Sequence, residues 1–211
     1  MEKLTLVQGF TVMILPVLFA ITLHEVAHGW VAKMLGDRTA EKMGRLSLNP
    51  LHHIDPIGTL LVPGVLYAVG GIIFGWAKPV PVDFGRLRKP RRDMVLVAVA
   101  GPAANLLMAL AWALIVRLAH VIGIEFFELM GSGGISINLL LMLLNLLPIP
   151  PLDGGRIALG LLPPRLGYKF GKLEPYGFFI LLVLIATGLL SNILGLPLML
   201  MQKILYGIAG I

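Results

Sequence analysis

The 28-residue run Leu4 to Val31 is apolar enough to cross a bilayer, yet it carries His24, Glu25 and His28 as its only ionisable side chains. A spanning helix needs about 20 predominantly apolar residues. Ionisable groups inside one are costly and usually functional. The run is too long for a signal peptide and lacks a small-residue cleavage site. Composition agrees with a membrane chain: 57% of the 211 residues are hydrophobic and 13% charged, against about 45–50% and about 25% in soluble domains. A water-soluble globule, a disordered chain and a nucleic-acid module are excluded, so no nucleic-acid partner is expected. The absence of cysteine removes disulfide scaffolds, thiol catalysis and thiolate zinc sites.

Hydropathy sets spans at about 4–35, 93–119, 135–162 and 175–195, with Gly195 and Pro197 separating the last from a short terminal helix at about 197–209. The run 57–77 is long enough to cross but holds Gly58, Pro63, Gly64, Gly70, Gly71 and Gly75. Charge decides its path. Residues 33–56 contain four Lys or Arg and residues 78–92 contain six. A spanning 57–77 would put these basic loops on opposite sides, against the positive-inside bias. A re-entrant segment, as a short β-hairpin or broken helix, keeps all ten in the cytoplasm. The loop 118–134 has Glu125 and Glu128 but no Lys or Arg and is expected outside, while 163–174, with Arg165, Lys169 and Lys172, is expected inside. The basic residues of 86–92 fit the anionic inner leaflet of the cell membrane. The expected fold is an all-α polytopic membrane protein forming one domain, 1–211.

The motif HEVAHGW places His24 and His28 at i and i+4, on one helix face. Two imidazoles so placed can hold one Zn²⁺ at about 2.0–2.1 Å. Glu25 projects roughly 100° from His24, beside the metal, where it can take a proton from water that the metal activates. A third ligand must come from elsewhere. Asp153, in NLLPIPPLDGG, is the only other acidic residue inside an expected span. Pro148, Pro150 and Pro151 break the helix before it, and broken helices in lipid belong at cavities. The plainer reading is that Asp153 opens a second helical segment or pairs with Arg156. From Leu4 to the histidine pair is roughly 33 Å of helix, and from Ile135 to Asp153 roughly 27 Å. Both therefore fall in the cytoplasmic half.

With these residues in hand, HEVAHGW, GPAAN at 101–105 and NLLPIPPLDGG resemble the three signature motifs of the site-2 protease family of intramembrane zinc metalloproteases (M50). GRLSLNPLHHIDPIGTLLVP and FGWAKPVPVD resemble its compact bacterial branch, without a PDZ or CBS domain. The resemblance implies a three-helix catalytic core plus at least one further span, and one zinc ion per chain on His24, His28 and Asp153. It also implies Glu25 as catalytic base and a transmembrane protein or peptide as substrate, cleaved in regulated intramembrane proteolysis. Asn105 matches the family's GxxxN position and Asn145 its Asn before LDG. A neutral amide at either can hold an extended substrate backbone or an oxyanion, whereas Gly101 to Asn105 also suits simple small-residue helix packing.

Three other readings stay open at this level: a membrane zinc transporter, a non-catalytic zinc-bound membrane scaffold, and a prenyl protease whose third ligand is a downstream Glu. His52, His53 and Asp55 suit an interfacial polar cluster better than a second metal site. His120 is expected in solvent, and Trp30, Trp76, Trp112 and Tyr176 at interfaces or in the core.

Overall fold

A computed structural model describes residues 6–62, 65 and 77–210. Most of the expected re-entrant segment, together with Trp76, lies outside the described residues. The chain is an all-α polytopic membrane protein, and among the described residues there is no strand. Among the described residues four helices are long and apolar enough to cross a membrane: α1 (Leu6–Met34), α3 (Pro90–Ile122), α4 (Glu125–Asn145) and α8 (Leu189–Ala209). Shorter helices join them: α2 (Thr39–Lys42), α5 (Asp153–Leu161), α6 (Pro164–Gly171) and α7 (Gly177–Ala186).

The helix boundaries correct the hydropathy expectation in two places, at 118–134 and in the last span. Residues 118–134, expected as an outer loop, are mostly helical. The chain turns only at Gly123, whose φ of +79° is the left-handed conformation glycine adopts at helix ends. Glu125 and Glu128 then occupy the first turn of α4, where the positive end of the helix dipole favours acid. Within the expected span 135–162 the break expected at Pro148, Pro150 and Pro151 is present, α4 ending at Asn145 and α5 starting at Asp153. The last span is displaced from 175–195 to Leu189–Ala209. Gly188, at φ +73°, makes the break, and Pro197 is carried inside the helix rather than ending it.

Lipid is as apolar as leucine, so membrane helices associate through close van der Waals packing and interhelical hydrogen bonds. The core is therefore built where small residues let backbones approach. It joins Val12 of α1, Ala109, Trp112, Ala113 and Val116 of α3, Ile135, Leu139 and Met142 of α4, and Leu205 and Ala209 of α8. Gly134 lies flat against the Trp112 indole: a Cβ there would fall within 2.6 Å of Trp112 Cδ1. The most apolar stretch of α8 is 11% buried against 39% for α4, so α8 leans on a three-helix centre made by α1, α3 and α4. Outward-facing Phe10, Leu107, Leu114 and Ile204 are exposed, as lipid-facing side chains are.

Beyond α1, Asp37 ties the first basic loop together. Its carboxylate accepts from the Thr39 amide and hydroxyl and from the Asp83 amide. Burial opposes its charge, but these donors and the nearby Arg86 outweigh that and hold its pKa below the usual value. A depressed folded pKa adds stability above the unfolded value of about 3.9 and loses it as pH falls through the folded one. Acid unfolding in detergent should therefore bring wild type and Asp37→Asn together at low pH, with wild type the more stable near neutrality. Separately, Gly134→Val should cost about 1–3 kcal/mol through overpacking, read as a lower midpoint of thermal unfolding in the same micelles.

Candidate metal centre

Site geometry follows from helix periodicity and one chain reversal. His24 and His28 lie one turn apart on α1, with Nε2 atoms 3.1 Å from each other. Asp153 is the first residue of α5, reached after the proline break folds the chain back. Gly154 and Gly155 press onto the backbone of residues 146–150, where a Cβ at Gly155 would come within 2.5 Å of Pro150 N. That tuck delivers Asp153 Oδ2 to 3.2 Å from His24 Nε2 and 3.3 Å from His28 Nε2. The three side chains are 9%, 12% and 11% exposed. Asp153 does open a helix, yet its carboxylate faces the imidazoles. Arg156 turns elsewhere, to Glu174 at 3.8 Å and over the Phe84 ring.

The arrangement passes a direct fit test for zinc. Tetrahedral zinc with bonds of about 2.0–2.1 Å sets its ligand atoms roughly 3.3 Å apart, and the three contacts here measure 3.1, 3.2 and 3.3 Å. The donor set also fits. Each histidine's other nitrogen faces an acceptor: His28 Nδ1 lies 2.7 Å from the Val97 carbonyl and His24 Nδ1 2.6 Å from Asn105 Oδ1. Protons on both Nδ1 atoms turn both Nε2 lone pairs inward, the usual orientation of ligating histidines. Asp153 Oδ2 is buried without a hydrogen-bond donor. Among the described residues this is the only cluster of three that could hold a metal.

Gly101 of α3 makes the room. A Cβ there would come within 2.6 Å of Cε1 in both histidines, so GPAAN supplies the bare backbone surface against which the rings lie. Glu25 points to the side, its Oε2 accepting the Val80 amide proton at 2.7 Å. Val80 is buried in an irregular stretch at 77–82, and its side chain lies against Gly29.

Asn105 does not fit the expected role of contacting substrate. It is fully buried, with its amide protons given to the Ala20 carbonyl at 3.1 Å and Asn138 Oδ1 at 3.0 Å. No donor is left for a bound peptide. Asn145 ends α4, half-buried, and donates to the Leu141 carbonyl at 3.0 Å.

The basic loop behaves as a polar cluster. His53 Nε2 lies 2.9 Å from the Ser47 carbonyl, and Asp55 caps the next turn by accepting from Ile57 and Gly58. His120 is exposed and pairs with Glu128 at 3.2 Å. Sequence reasoning missed Val80 and Asn138. Nothing marks Val80, but Asn138 within the apolar stretch 135–144 was a signal, since a buried amide needs partners.

Comparison with known proteins agrees with this chemistry. The chain is 43% identical over 189 residues to "Putative zinc metalloprotease YwhC" of Bacillus subtilis (strain 168), covering 86% of this chain and 83% of the relative. It is 33% identical over 199 residues to "Putative zinc metalloprotease Rip2" of Mycolicibacterium smegmatis, covering 90% and 73%. It is also 28% identical over 174 residues to "Zinc metalloprotease MJ0392" of Methanocaldococcus jannaschii, covering 82% and 41%. No family model and no solved structure matches the chain.

Asp153→Ala should lose stoichiometric zinc while the helix content by circular dichroism stays at the wild-type level, as metal analysis of the purified proteins would show. Full zinc retention in that variant would remove the third ligand.

Proposed function

The chain belongs to the zinc metalloprotease family of these relatives, and from that premise we propose that it is an intramembrane endopeptidase of the site-2 (M50) type. It hydrolyses transmembrane segments of membrane proteins, with one zinc per chain and with 1–211 acting as a single peptidase domain. The observation that carries the reading is the convergence of His24, His28 and Asp153 at 3.1–3.3 Å inside a bundle of apolar helices. His24 and His28 lie late in α1 and Asp153 after α4, next to the basic loops. The positive-inside bias then sets the site in the cytoplasmic half of the cell membrane.

Zinc bound there supplies a Lewis acid for the peptide carbonyl and makes water nucleophilic near neutral pH. The protein supplies the rest. Two histidines and a carboxylate present three lone pairs and leave one side of the centre to the reactants. Glu25 takes the proton from the attacking water and returns it to the leaving amine. Because the Val80 amide already fixes Oε2, Oε1 is the oxygen assigned this step. A substrate helix hides its backbone groups in its own hydrogen bonds, so it must unwind. Strand addition along 77–82 gives its amides new acceptors. The amides of Lys78 and Val80 are committed, Pro79 and Pro81 have none, and Arg45 holds the carbonyls of Lys78 and Pro79, so this stretch serves mainly through the carbonyls beyond Pro79. Asn145, at the mouth of the proline break, is the remaining amide side chain for holding substrate backbone.

Glu25→Gln tests the assignment cleanly, since glutamine can still accept the Val80 amide through its carbonyl oxygen. Zinc content should stay stoichiometric and cleavage of a single-span peptide in proteoliposomes should fall by about 10²–10⁴-fold. Retained turnover with verified metal would refute the base. Zinc flux through the same proteoliposomes without peptide cleavage would favour a transporter, and zinc binding with neither would favour a scaffold.

A further inference from the structure

Polar groups buried between membrane helices are held in place by their partners, and here those partners form a directed chain. Asn138 of α4 is fully buried, and its Nδ2 donates to the Gly134 carbonyl at 2.8 Å. A carbonyl can only accept, so this contact fixes which end of the Asn138 amide is which. Its Oδ1 is left facing α3, where it accepts from Asn105 Nδ2 at 3.0 Å. Asn105 Nδ2 also donates to the Ala20 carbonyl of α1 at 3.1 Å, another accept-only partner. The orientation of Asn105 is thereby settled as well. Flipping it would set its oxygen against two acceptors in a site without solvent, which costs the desolvation of each unpaired group. What remains is Asn105 Oδ1 at 2.6 Å from His24 Nδ1. That nitrogen must therefore carry a proton, and in the neutral ring Nε2 is the one that offers its lone pair.

We propose that Asn138 and Asn105 are positioning residues that lock the tautomer and ring orientation of His24, so that a side chain on α4 sets the metal affinity of a ligand on α1. The two histidines are thus oriented by different devices. His28 Nδ1 meets the Val97 main-chain carbonyl at 2.7 Å, which no amide flip can reverse. His24 depends on a relay of two side chains, anchored on main-chain carbonyls of α4 and α1. Asn138 is fully buried and its hydrogen bonds go to the Gly134 carbonyl and Asn105, so its hydrogen-bonded path to His24 runs through Asn105. The consequence for zinc rests on the metalloprotease reading; the tautomer lock does not.

The test uses the full-length protein in detergent micelles, with two readouts. Chelator competition gives the affinity for Zn²⁺ alone. Ring ¹⁵N spectra of metal-free, histidine-labelled protein give the tautomer of His24. Asn105→Leu should weaken zinc binding about 10–100-fold, the usual cost of losing a partner behind a ligand, and should give His24 a mixed tautomer while His28 stays as in wild type. Asn138→Leu, which leaves the Ala20 carbonyl alone to orient Asn105, should shift both readouts the same way to a smaller extent. Adding Asn138→Leu to Asn105→Leu should cost nothing further, because the relay is already cut. Asn105→Asp in the Asn138→Leu background should restore the Nδ1 proton, since a carboxylate cannot be flipped. Its second oxygen then faces the Ala20 carbonyl, so the tautomer and not the affinity reads the rescue. Should Asn138→Leu not fold, Asn138→Ala removes the same polar atoms with less bulk and carries the same expectations. Wild-type affinity with an unchanged tautomer in Asn105→Leu would overturn the proposal, and so would a mixed tautomer that Asn105→Asp does not correct. If wild-type protein binds no zinc that Asp153→Ala abolishes, the metalloprotease reading fails, while the metal-free spectra still decide the relay.

Discussion

Three lone-pair-bearing atoms, two imidazole nitrogens and a carboxylate oxygen, are forced to within 3.1–3.3 Å of one another where little water can reach them. Left to themselves such atoms repel, and burying a carboxylate without a partner is among the most expensive things a protein can do. A shared divalent cation reverses the sign of every term at once. The rest of the molecule is best understood as what keeps these atoms converged. α1 supplies the spacing, the proline break swings Asp153 back, and α3 gives up side-chain volume at Gly101 so that both rings fit.

That last concession shows how membrane packing and chemistry share the same residues. Without a hydrophobic force to gather helices in lipid, contact between α1, α3 and α4 depends on backbones lying close. Gly101 brings α3 to the rings of α1, and Gly134 brings α4 to the Trp112 indole of α3. One turn further along each helix stands an asparagine, Asn105 after Gly101 and Asn138 after Gly134. The small residue lets the helices approach, and the amide four positions on uses that closeness to bond across the gap at 3.0 Å.

How legible this was depended on whether a residue's role is local. HEVAHGW declares its geometry because i and i+4 are fixed by the helix alone, and Asp153 stood out as the remaining acid in an apolar run. The four-helix, all-α membrane architecture followed from hydropathy. Boundaries did not. Glu125 and Glu128 read as loop because acid inside a span is expensive, but in the first turn of α4 they sit at the favourable end of a dipole. Pro197 read as a break because proline ends helices in water, whereas in lipid the helix carries it. Asn105 was visible as a polar group in a span, yet its partner was not. Only the contact of α3 with α4 and α1 shows that its amide is spent inside the bundle.

The pairing of Val80 with Glu25 bears on the role proposed for Glu25 as base. A carboxylate next to a cation in a low-dielectric site would be drawn onto the metal and lost as a base. The Val80 amide, 2.7 Å from Oε2, holds the side chain off to one side with a charge-assisted hydrogen bond. The stretch that supplies it is itself fixed. Arg45 donates to the carbonyls of Lys78 and Pro79, and the Lys78 amide donates to His53, so the tether runs back into the basic loop. Pro79 and Pro81 leave that stretch with few amides to present to anything but Glu25. On this reading the loop between α1 and α3 steers the base, as α4 steers the ligand. The metal centre is then set from both sides by elements that never touch the ion.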